Sequence, residues 1–251
     1  VLATSELYKQ ALMNAGGCIA TDSFQRVRAQ RVEANIKFLV NQANLRKSEL
    51  KNGSVKEFVE MLKKINADRE GLNLKNVEVA AYASPEGGFK FNDKLAGKRQ
   101  SVSEAYVDKQ LKAAKLGGAN VDAHYTAQDW DGFKRLVQAS NIQDKDVILR
   151  VLEMYKDPAE REQQIRNMSA GFRELADGIL PELRRSRLII NYETVGRSDE
   201  QIKEQYKADA AQLSADELLY AATLTNDANE KEAIYKKAAE CYDKDYRAYN
   251  N

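Results

Sequence analysis

The sequence predicts an α+β chain, with a two-layer α/β sandwich over residues 1–196 and an all-helical segment over 197–251. Three observations carry this. Four short stretches alternate apolar and polar residues with period two. Helical periodicity fills the intervals between them. After Gly196 the strand signal stops and only helical periodicity continues.

Taken in order, residues 3–14 read as a short amphipathic helix. Ala34, Ile36, Phe38 and Val40 then alternate with Glu33, Asn35 and Lys37, a half-buried strand over 32–40. Ser54-x-x-Glu57 reads as a capping box, in which side chains satisfy orphan backbone donors. It opens a helix with Val55, Phe58, Val59, Leu62 and Ile65 on one face. A second strand at 77–83 places Val77, Val79, Ala81 and Ala83 together and ends in the turn Ser84-Pro85-Glu86-Gly87-Gly88. A long helix from Asn92 to Ala114 is stopped by Leu116-Gly117-Gly118.

The third strand, 121–127, groups Val121, Ala123 and Tyr125, with His124 opposite and facing solvent. A short helix at 129–140 carries Trp130, Phe133 and Leu136, with Trp130 as its core anchor. Residues 144–180 read as a helical insertion; Asp157 fits an N-cap, Pro158 the first helical position and Glu160 the reciprocal cap. The fourth strand has Leu188, Ile190 and Tyr192 alternating with Arg187, Ile189 and Asn191, so the sheet core spans 32–195. Helices follow at 199–212, at Ser214-x-x-Glu217, at 227–241 and at 243–251.

Composition removes several function classes. Lys plus Arg number 39 and Asp plus Glu 38, a balance that argues against nucleic acid as a partner. One histidine and two cysteines, Cys18 and Cys241, are too few for a four-ligand zinc site, and no cofactor or metal is expected. A nucleophilic triad has only His124 to draw on, without a partner signature beside it, so no catalytic residue is assigned. Mean hydropathy is −0.62 and no apolar run approaches the length of a membrane span. The chain opens on Val1 with no basic and apolar leader, which points to a removed signal or a start inside a longer protein. Ala15-Gly16-Gly17-Cys18 is only faintly like a lipoprotein cleavage box, because no apolar run precedes it. Cys18 and Cys241 read as two small buried residues.

The most informative segment runs from Asn76 to Val107. There a strand ends in a tight Pro-Gly turn, and Asn92, Leu95 and Arg99 follow on one helix face at i, i+3 and i+7. Folded back to the strand-to-helix loop, the Arg99 fork would match a carboxylate bidentately. Each residue also has a plain structural role: Arg99 pairing with Asp93 or Glu104, Asn92 as the helix N-cap, Ser84-Pro85-Glu86-Gly87 as a turn.

With these residues the segment resembles the OmpA-like peptidoglycan-binding domain family, whose helix reads Asn-x-x-Leu-Ser-x-x-Arg-Ala. Asn92, Leu95 and Arg99 match, with Ala96 for Ser and Gln100 for Ala. The pair Arg184-Arg185 before the last strand resembles the family's Arg-Arg, and Arg187 aligns with an Arg at its pocket edge. The helical insertion, Ala83-Ser84-Pro85-Glu86-Gly87 and Gln128-Asp129-Trp130 look like a Bacteroidetes variety that often carries a tetratricopeptide tail. The likeness covers about two-thirds of the chain. It implies a four-stranded mixed sheet. The C-terminal helices, Tyr235, Ala238 and Tyr242 to Tyr246 among them, fit either tetratricopeptide-like hairpins of a truncated array or a plain hairpin on the sheet.

The resemblance further implies a non-catalytic periplasmic module of an outer-membrane-associated protein. A loop acid and the helix Arg would grip the amino and carboxylate groups of diaminopimelate in peptidoglycan. The expected ligand-binding residues are Arg99, Asn92, Ser84, Glu86, Leu95 and Arg187, with Ser84 at the acid's position and Glu86 as the nearest substitute. Membrane contact would come only through an upstream anchor outside this chain. The alternative is a protein-interaction scaffold with a degenerate OmpA-like domain, holding an envelope partner through the C-terminal helices.

Overall fold

The computed structural model describes residues 22–168 and 173–250. The expected helix at 3–14 and Cys18 lie outside them, and Cys241 is half-buried. Ala29–Thr194 forms one compact unit, and Val195–Asn251 forms the other with the described part of Val1–Arg28.

The fold is α+β, built on one four-stranded mixed sheet in the order β1-β4-β2-β3, with β1 at Val27–Lys37, β2 at Leu72–Tyr82, β3 at Val121–Thr126 and β4 at Arg185–Val195. β2 and β3 are parallel, and β2 and β4 antiparallel. β1 and β4 also run antiparallel, since Phe38 meets Arg184 at one point and Glu33 meets Arg187 further along. Helices α1 (Gly53–Ala67) and α2 (Phe89–Ala113) cover one face of the sheet. Their apolar stripes, Val55, Phe58, Leu62 and Ile65 from α1 and Val107 and Leu111 from α2, bury against Ala34, Ile36, Val77, Val79, Leu188 and Ile190. At about 1.5–3 kcal/mol for each large apolar side chain removed from water, this layer is the main stabilising term of the unit.

Several boundaries differ from the sequence reading. β1 ends at Lys37; Phe38 is still buried, but Val40 is 52% exposed and Asn41 turns the chain with a φ of 56°. β2 starts at Leu72, and a register shift between Leu74 and Asn76 breaks the alternation, which is why the period-two signal begins only at Val77. The cap of α1 is Asn52, not Ser54. Its side chain accepts from the Val55 N–H at 2.9 Å and donates to Asn35 O at 3.0 Å, tying the helix start to β1. Tyr125 does not join Val121 and Ala123 inside: β3 is an edge strand and this ring is 42% exposed. β4, in an inner position, buries Leu188, Ile189 and Ile190 alike, so both of its faces are covered.

The insertion comprises α3 (Trp130–Ala139), α4 (Lys145–Met154), α5 (Pro158–Asn167), a π-type turn at Leu175–Ile179 and the short α6 (Leu180–Leu183). It has its own core, with Phe133, Val137, Ile148, Leu152, Ile165, Leu175 and Leu183. Trp130 packs edge-on to Phe133, with centroids 5.6 Å apart. Asp157 caps α5 by accepting from the Glu160 N–H.

The second unit holds α7 (Asp199–Asp209), α8 (Ala215–Ala221), α9 (Ala228–Cys241) and α10 (Arg247–Asn250) around Ile202, Leu213, Leu218, Leu219, Ile234 and Ala238. Complete capping boxes start α7 at Ser198 and α8 at Ser214. Phe24 stacks on Tyr220 with centroids 4.3 Å apart, and Arg247 pairs with Asp216 and Asp245.

The end of α2 departs from expectation in an instructive way. The left-handed residue is Lys115, with a φ of 59°, rather than a glycine of the pair after it. Leu116 N–H reaches Leu111 O at 2.8 Å and Lys115 N–H reaches Lys112 O at 3.1 Å, the paired bonds of a Schellman stop. A β-carbon costs energy in that conformation and glycine does not. Lys115→Gly is therefore expected to stabilise the protein by about 0.5–1 kcal/mol, read as a raised urea midpoint at unchanged slope.

Candidate functional site

β2 delivers the chain at Tyr82 into the loop Ala83–Gly88, and α2 leaves it with Gly88 as N-cap. Gly87 has a φ of 88°, a backbone position suited to glycine. The expected face of α2 points inward. Asn92 is 3% exposed, Leu95 8% and Arg99 1%. Leu95 and Ala96 pack on Ala83 beneath the loop.

Asn92 is thus not the N-cap. Its amide donates to the carbonyls of Ser84 (3.1 Å), Glu86 (2.8 Å) and Gly87 (3.4 Å), so it holds the loop from below. The Ser84 hydroxyl donates to Glu86 Oε1 at 3.0 Å, which brings the Glu86 carboxylate to the place Ser84 occupies. The same oxygen accepts from Arg184 Nε at 3.0 Å and Nη2 at 2.6 Å. Two bonds from the insertion side complete the closure: Gly87 N–H donates to Glu162 Oε1 at 2.9 Å, and Gln128 donates to Gly87 O at 3.0 Å.

Arg99 pairs with neither Asp93 nor Glu104. Its Nε donates to Gln42 O (3.0 Å), Nη1 to Tyr82 O (2.8 Å) and Nη2 to Leu39 O (3.2 Å). The guanidinium also lies 4.9 Å from the Phe38 ring centroid. Burial pushes its pKa down to about 10, with repulsion from Arg184 acting the same way and Glu86 opposing; it remains a cation at neutral pH.

Arg187 is not part of this cluster. It lies on the sheet face opposite α2 and pairs bidentately with Glu33, both contacts at 2.7 Å. The hydrogen bond from Arg187 is the largest cause holding the Glu33 carboxyl below the usual range, against desolvation. Five of the six expected residues therefore meet at one loop, but as a junction whose donors already have acceptors. His124 is half-exposed, 3.7 Å from Glu78. Among the described residues no group of three or more His, Cys, Asp or Glu is placed to hold a metal.

Sequence reasoning missed Arg184 and Glu162 as partners of the loop. The Arg184-Arg185 pair was visible as a motif, but which of the two turns to Glu86 depends on strand register. The carbonyls that hold Arg99 carry no side-chain signal at all.

Arg99→Met is expected to cost on the order of 3 kcal/mol or more in urea unfolding, because three carbonyls lose their donor. Arg99→Lys should recover only part of it, since a point charge cannot span three acceptors. The Glu33 contribution has a defined pH window. A depressed folded-state pKa stabilises fully above the unfolded value and is lost as pH falls through the folded one. The stability gap between wild type and Glu33→Gln should close on acidification, measured as urea midpoints from about pH 7 to about pH 2.5. Compared with known proteins, the chain matches no protein-family model and no curated protein.

Proposed function

We propose that this chain is a non-catalytic interaction scaffold of the cell envelope, an OmpA-like domain whose strand-loop-helix site no longer takes the cell-wall peptide. One observation carries the reading: the residue matching the family's ligand-gripping Arg is buried, and each of its three nitrogens donates to a main-chain carbonyl. Glu86, the acid that accepts from Ser84, is held by Arg184 at 2.6 Å. Partner contact falls to the C-terminal helices, read as a tetratricopeptide-like tail. They frame a groove of about 940 Å³ lined by Tyr235, Ala239, Ala248 and Tyr249, with Tyr249 63% exposed. No helix among the described residues is long and apolar enough to cross a membrane.

A second reading keeps peptidoglycan as ligand. It is favoured by the Glu86 carboxylate lying 3.0 Å from the Ser84 hydroxyl, where it restores an acid to that place. The two readings separate in one experiment, co-sedimentation of the chain with purified diaminopimelate-type peptidoglycan. The scaffold reading expects wild type and Glu86→Gln both to stay in the supernatant. Co-sedimentation that Glu86→Gln removes, with the circular dichroism spectrum unchanged, overturns it in favour of cell-wall binding.

A further inference from the structure

The sheet face not covered by α1 and α2 has its own chemistry. On β1, Glu33, Asn35 and Lys37 alternate with the core residues Ala34 and Ile36, so they project to that second face. On β4, Arg185 and Arg187 alternate with the inward Ser186 and Leu188 and project the same way. Helix α3 overhangs these strands with Gly132, Arg135 and Leu136. Together they enclose a cavity of about 540 Å³. That is an ordinary size for a small-molecule site, but this cavity is mainly polar.

Its cations are held in place. Arg187 is forked onto Glu33, and Lys37 meets Glu182 at 2.5 Å. Arg185 is fixed from three sides: Nη1 lies 3.2 Å from Asp129 Oδ2 and donates to Glu182 O, and the guanidinium lies 4.7 Å from the Tyr82 ring centroid. Asp129 is positioned as the N-cap of α3, its Oδ1 accepting from the Gly132 N–H at 2.8 Å. Asp129 Oδ2 is itself buried without a hydrogen-bond partner, and among the described residues its ion pair is with Arg185.

Three of the four cations lining the cavity have a carboxylate partner: Arg187 has Glu33, Lys37 has Glu182, and Arg185 has Asp129 behind the wall. The fourth, Arg135, is exposed and makes no hydrogen bond or ion pair among the described residues. A guanidinium fork is suited to binding a phosphate or carboxylate, and here one lines a cavity beside two ordered guanidinium groups. We propose that this cavity binds a small polar ligand through a phosphate or carboxylate group, with Arg135 as its principal contact and Arg185 and Arg187, held by Asp129 and Glu33, as the ordered wall.

The test is an NMR titration of the full chain with sodium phosphate and, separately, with sodium succinate, each against sodium chloride at matched ionic strength. The expected result is saturable shifts at residues lining the cavity with at least one of the two anions, and none with chloride. The tighter of the two identifies the oxyanion as phosphate or carboxylate. Arg135→Gln, an exposed substitution that leaves the fold unchanged, should weaken that binding about tenfold, and Arg135→Lys should retain part of it. Absence of saturation with both anions, shifts that chloride reproduces, or equal affinity in Arg135→Gln would overturn the proposal.

Discussion

The sheet unit depends on one buried cation. Strands β1 and β2 are not neighbours; β4 lies between them. Their ends are nonetheless held together, because Arg99 donates to Leu39 and Gln42 after β1 and to Tyr82 at the end of β2. A planar fork suits this task, since its donors diverge in one plane and reach acceptors on separate segments at once. Desolvating a guanidinium is costly, and three charge-assisted bonds with the Phe38 ring beneath offset that cost. The depressed pKa of Arg99 is the residue of the balance: burial outweighs Glu86 but does not neutralise the group at physiological pH.

That arrangement governs the adjacent loop. With Arg99 committed to main chain, the Ala83–Gly88 loop has to satisfy itself, and Asn92, Ser84, Arg184, Glu162 and Gln128 do so. Arg184 repels Arg99 and attracts Glu86, so the Glu86 carboxylate serves both cations. Below it, Ser103 and Ser186 share a 2.8 Å bond where α2 crosses β4, a small-residue contact that lets the helix approach the sheet. The buried face of α2 thus mixes Asn92, Arg99 and Ser103 with apolar residues, and the helix is anchored by hydrogen bonds near its start and by Val107 and Leu111 further on.

Much of this was legible in the amino-acid order. Period-two alternation located four strands and the 3.6 period located α1 and α2, because one buried face per element is a local property. The spacing of Asn92, Leu95 and Arg99 correctly put them on one face. Its direction was not legible: the acceptors of Arg99 lie 57, 17 and 60 residues away and are backbone atoms, which any sequence supplies. Ser54 and Gly117 failed as markers for a related reason. Asn52 and Lys115 did their work under tertiary ties, to Asn35 in one case and to the packing of Leu116 on the core in the other. The register shift in β2 hid its first half from a test that assumes unbroken alternation.

A formal charge of +1 over the chain describes no particular surface. At the loop one carboxylate, Glu86, lies between the cations Arg99 and Arg184. On the opposite face the insertion places α3 over β1 and β4, and the outward residues of those strands become cavity walls instead of solvated side chains. A sheet with one bare face would leave Arg187 and Glu33 as a surface pair worth little. Under a roof their positions are restricted, and the difference between paired and unpaired cations acquires meaning. Two guanidinium groups there are engaged by carboxylates, and Arg135 has no such partner among the described residues. The insertion therefore has two roles: Glu162 on α5 helps close the Ala83–Gly88 loop, and α3 roofs a charged cavity over β1 and β4.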